Sequence, residues 1–178
     1  MTWNAFHRRG EVLRTVIATA DARRDGILPM DVDGVAQTFE DDLDVLAALQ
    51  LRWHTRLAGR IERNLMSQPM NLETAVITAW QETADDMPGV RAIIDHYTAA
   101  PETEAMANAL TASAAKEHEL LALMSGLASE RGDAAARVGR GIKAKAQETW
   151  VDPTLVEHLN RLPHFGGILD RIRAVIAA

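Results

Sequence analysis

The chain has 178 residues, of which 47% are hydrophobic and 25% charged, proportions that favour one folded domain over residues 1–178 and exclude general disorder. It contains no cysteine, which rules out disulfides, thiolate metal sites and cysteine nucleophiles. The formal charge of −6 and a pI near 5.5 disfavour nucleic acid and anionic lipid, except at a local basic patch.

Between turn signals the apolar residues recur at three and four positions and almost never alternate, so the expected class is all-α, a multi-helix bundle. The first helix is expected over residues 4–24, burying Phe6, Leu13, Val16, Ile17 and Ala20, with Trp3 over its start and Asp25-Gly26 and Pro29 ending it. Asp31 is placed to cap a short turn through Val35 and Ala36. Thr38, with Asp41 three residues later, then offers a variant capping box for a long helix over residues 38–66.

In that helix Phe39, Leu43, Leu46, Trp53, Leu57, Ile61 and Leu65 fall near one stripe, interrupted by Gln50 and widened by Leu49 and Leu51. Its early acids, Glu40, Asp41, Asp42 and Asp44, precede Arg52, Arg56, Arg60 and Arg63, an order that the helix dipole favours without any function. Pro69 closes the segment. Asn71 caps a helix to about Thr83 with Leu72, Val76, Ala79 and Trp80 inward, and Asp86 with Pro88 opens another carrying Val90, Ile93, Ile94 and Tyr97.

After Pro101 a second long helix is expected over residues 102–130, marked by Met106, Leu110, Leu120, Leu121, Met124 and Leu127. Its alanine-rich middle would let another helix approach closely, and Gly132 is its expected C-cap. The next helix, from Asp133 with Val138 and Ile142, contains Gly139 and Gly141 and is expected to be weak or irregular. Asp152-Pro153 starts a helix over residues 155–162, and Phe165, Ile168, Leu169, Ile172, Val175 and Ile176 mark a last one.

No reaction is specified by a motif. His7, His54, His96 and His118 lie on four expected helices, but only His7 has an acid in register, Glu11, so no metal ligands are assigned and no cofactor is expected. The acids at 40–44 lie on a helix rather than in a calcium loop, and a loop starting at Asp21 has Arg23 at its third position and Val32 at its twelfth, where oxygen ligands are needed. Serine-hydrolase, Walker and dinucleotide signatures do not occur. A helix-turn-helix regulator is a minor alternative, poorly supported because the acidic start of the long helix follows directly where basic or amide side chains are needed. Arg137, Arg140, Lys143 and Lys145 form a second basic cluster without interleaved aromatics.

The strongest surface signal is the ridge Arg52, Arg56, Arg60 and Arg63 beside Trp53 and His54, a candidate for an anionic ligand or acidic partner. Wide apolar helix surfaces without a chemical constellation point to a nonenzymatic protein-interaction or scaffold module, expected to homo-oligomerise. The alternatives are a small-molecule-binding helical regulatory domain and, third, a metal-dependent helical-bundle enzyme. The segment MTWNAFHRRGEVLR lacks a signal-peptide core and no apolar run is long enough for a membrane helix, so a cytoplasmic location is expected.

Overall fold

The helix-period pattern becomes helices whose ends are set by identifiable caps. A computed structural model describes residues 3–67 and 70–151, and these form α1 (Trp3–Arg23), α2 (Val35–Thr38), α3 (Asp42–Ser67), α4 (Leu72–Asp86), α5 (Pro88–Ala99), α6 (Glu104–Met124) and α7 (Asp133–Thr149). No strand occurs among the described residues, and the class is all-α. Pro69, the Phe6 side chain and the two helices expected after Asp152 lie outside what is described. No helix among the described residues is long and apolar enough to cross a membrane.

The long helix α3 starts at Asp42, not Thr38. Asp41 Oδ1 accepts the Asp44 amide at 2.8 Å and Asp44 Oδ2 accepts the Glu40 amide at 3.2 Å, so a reciprocal cap forms three residues later than the spacing predicts. Thr38 instead closes α2. Arg9 fastens this corner to α1, donating to Asp44 at 2.6 and 3.1 Å and to the Thr38 carbonyl at 3.1 Å while lying over the Phe39 ring. Downstream, Asn71 Oδ1 accepts the Thr74 amide at 3.2 Å, as its position predicts.

Two glycines fix how helices cross. A Cβ on Gly89 would fall 2.1 Å from the Ala20 carbonyl carbon, so glycine alone permits α5 to start against α1. Asp21 Oδ1 accepts the Gly89 amide at 2.8 Å, supplying from α1 the cap expected from Asp86. A Cβ on Gly139 would fall 1.7 Å from the His118 carbonyl oxygen, and this approach makes α6 and α7 the most extensive helix pair. The helix expected to be irregular is therefore a regular 17-residue α7, because close packing offsets glycine's helix penalty of about 1 kcal/mol.

The C-cap of α6 is also relocated. Gly126 has φ 73°, and the amides of Gly126 and Leu127 bond the Leu123 and Ala122 carbonyls at 3.1 and 3.2 Å, the paired bonds of a Schellman stop. The helix ends at Met124 rather than Glu130, Gly132 stands at the N-cap of α7, and Leu127 is 51% exposed instead of inward. Leu72, expected inward, is likewise 37% exposed.

At the centre runs α3, with Leu46, Leu49, Trp53, Leu57 and Ile61 fully buried. Val76, Ala79 and Trp80 of α4, Val90 and Ile93 of α5, Leu121 of α6 and Ile142 of α7 close over it. Val16 and Ala20 of α1 complete the same cluster, with Leu13 and Ile17 only partly buried.

Candidate functional site

Placing α3 in the bundle divides the arginine ridge. Arg56 donates to Asp86 Oδ2 at 2.7 and 3.1 Å, and Arg60 reaches the same oxygen and lies 3.6 Å from Glu82. Arg52 and Arg63 are exposed, with no ion pair among the described residues. Trp53 is fully buried, and the half-buried His54 turns toward α6, its Nε2 lying 3.1 Å from Ser113 Oγ. The six residues therefore occupy three environments: the α3–α4 surface, the bundle interior and an open flank.

On that flank α1 and α3 enclose an open groove of about 470 Å³. It exists because α1 packs mainly on α5 and meets α3 at the Arg9–Asp44 bridge. Gly10, Leu13, Ala47 and Ala48 form its floor, Leu51 stands 70% exposed at its rim, and Arg52 lies at one end. Glu40 and Asp41 line an adjoining hollow at the other.

Inside the bundle the dominant feature is Glu117 of α6, 3% exposed. Its Oε2 accepts Trp53 Nε1 at 2.8 Å and its Oε1 accepts Trp80 Nε1 at 3.2 Å. Lys143 Nζ lies 3.5 Å from Oε1 and Arg91 Nη1 3.9 Å from Oε2. Arg91, itself 2% exposed, stacks over Trp53 and binds Asp95 at 2.6 and 3.0 Å. Burial opposes ionisation of Glu117, but Lys143, Arg91, His54 and the Trp80 indole outweigh it and hold the carboxyl below its usual value. Burial is also the main influence on His54, lowering its pKa against the opposing pull of Glu117.

Ser113, His54 and Glu117 imitate a hydrolytic triad without its geometry. Serine at 3.1 Å and carboxylate at 4.0 Å both face Nε2, whereas a triad acid must hold the opposite ring nitrogen to orient the base. No group of three His, Asp or Glu placed to hold a metal occurs among the described residues.

The same cluster borders a chamber of about 20 Å³ with a mixed lining, the polar Gln50, His54, Ser113, Glu117 and Lys143 facing the apolar Ile94, Leu110 and Ala114. A cleft of about 300 Å³ between α5, α6 and α7 shares Thr98, Leu110 and Ala114 with it and carries His118 and Arg140 at its edge. No known protein family, curated protein or solved structure matches this chain.

Sequence reasoning missed Glu117, Arg91 and Ser113, and placed Lys143 only in a basic cluster with Arg137, Arg140 and Lys145. A signal was present for the first: Glu117 lies seven residues after Leu110 and four before Leu121, on the apolar stripe of α6, where a carboxylate demands partners.

Proposed function

We propose that this chain is a nonenzymatic helical interaction module that pairs with a second copy of itself through the α1–α3 face. The observation that carries this reading is the self-complementary layout of that face: acids at one end, a small-residue floor with protruding Leu51 in the middle, and at the other Arg52, which has no ion pair among the described residues. A two-fold axis near Ala48 sets two α3 helices antiparallel. Asp44 and Arg52 each lie four residues, about 6 Å, from Ala48, so each Arg52 meets the Arg9–Asp44 bridge of the other copy, with Glu40 and Asp41 about one turn beyond it. Each Leu51 then lies over the other's small residues, in an arrangement that closes at two copies. The anionic partner expected at the arginines becomes, in this reading, the start of α3 itself.

Light scattering and sedimentation across the micromolar range test it. A dimer is expected, weakened by Arg52→Glu and by salt and abolished by Leu51→Glu without loss of helicity. A monomer at every concentration, or a dimer indifferent to both substitutions, overturns the reading.

A further inference from the structure

We propose that the cleft between α5, α6 and α7 binds a small organic carboxylate, its head group entering the chamber on the side of Lys143 and Ser113 and its apolar body lying on Leu110 and Ala114. Core packing normally closes space lined by charged and hydroxyl groups, yet here room remains beside Lys143, Ser113 and Gln50. The Lys143 ammonium has three donors, and Glu117 at 3.5 Å is its one ion-pair partner among the described residues. The Gln50 amide is 8% exposed and makes no side-chain hydrogen bond among the described residues. These groups form a preorganised donor set facing a hollow.

Charge selects the ligand's sign. Glu117 is the one acid lining the chamber and cleft, whereas Lys143 lines the chamber and Arg140 the edge of the cleft. The Glu117 carboxylate accepts two indole donors and lies 3.9 Å from Arg91, which also holds Asp95, so two lining cations against one acid leave an entering anion a small positive excess. Size selects the head group. The chamber of about 20 Å³ accepts one water-sized group, which the edge of a flat carboxylate presents and the diverging oxygens of phosphate or sulfate do not. The cleft of about 300 Å³ is at the lower end of the usual range for ligand sites, which restricts the body to a few carbons or one ring.

Butanoate and benzoate titrated into the full chain test this, followed by the fluorescence of Trp53 and Trp80, which share the Glu117 carboxylate with the site. A saturable change is expected with both acids, and none with butanamide, benzamide or inorganic phosphate. Lys143→Met is expected to weaken binding about tenfold or more, the worth of a charged hydrogen bond. Thr111→Trp, an exposed substitution on the cleft wall outside the polar cluster, is expected to block it and keeps the test decisive if Lys143→Met fails to fold. Leu51→Glu, on the self-association face, leaves it intact. No saturable response to either acid, an equal response to phosphate, or binding unchanged in Thr111→Trp overturns the proposal.

Discussion

Glu117 and Asp86 each gather two basic side chains, Asp86 from α3 alone and Glu117 from α5 and α7, and burial makes them different objects. Asp86 sits at the end of α4 with its side chain 32% exposed, bridged to Arg56 and Arg60 in reach of water. Glu117 holds Lys143 and Arg91 with its side chain 4% exposed. In both, burial opposes ionisation and the cations overcome it, leaving each carboxyl below its ordinary value. When Asp86 loses its partners, water replaces them. When Glu117 is lost, Lys143 and two indole N–H groups lose their acceptor and Arg91 is left with Asp95 alone, so the same pairing tolerates loss outside and demands completeness inside.

The largest expected effect is therefore Glu117→Ala, a loss of about 3–5 kcal/mol in denaturant unfolding, the usual result of stripping one partner from a buried pair. If it costs no more than Asp86→Ala, the contrast between the two acids collapses. The glycines of α7 give a second inside–outside pair. Gly139→Ala drives a methyl into the His118 carbonyl and should destabilise by about 1–3 kcal/mol or more. Gly141, with nothing within 4 Å of a built Cβ, should gain up to about 1 kcal/mol as alanine. Thermal midpoints of the two variants, moving in opposite directions, check this.

Acid sharpens the comparison further. Burial lowers the pKa of His54 and His118 in the folded chain, so below the ordinary histidine value of 6.5 the unfolded chain takes up protons that the native one refuses, and stability falls with pH. Glu117 acts in a lower window: its contribution is present above the ordinary value of 4.5 and disappears as pH falls through its depressed native value. Unfolding measured from pH 7 downward should decline first through the histidines, and His54→Asn should flatten that first step. The smallest effect is Asp86→Asn, expected within about 1 kcal/mol and shrinking with added salt.

Much of the fold was legible because its determinants are local. The α3 stripe, the Asn71 cap and Pro88 at the start of α5 all act within a few residues, and helical spacing exposes them. The boundaries that moved did so through equally local chemistry competing nearby: Asp41 with Asp44 formed a better cap than Thr38, and Gly126 stopped α6 before Gly132. The interior site was less legible, because its partners come from distant parts of the chain. Nothing adjacent to Arg56 in sequence announces Asp86, thirty residues away. Glu117, one of three glutamates on α6, resembles a solvated charge until Trp53 and Trp80 are seen to donate to it. Gly139 reads as a helix weakness until the His118 carbonyl is placed against it.

The two indoles that share Glu117 also act as a ruler. They come from α3 and α4, meet edge to face with centroids 5.8 Å apart, and grip opposite oxygens of one carboxylate on a third helix. Sliding α6 by a single residue moves that carboxylate about 1.5 Å along the axis and over a quarter-turn around it, releasing both indoles together. Apolar stripes alone tolerate neighbouring registers; this three-helix clasp admits one, and it indexes every side chain on α6 to the rest of the bundle.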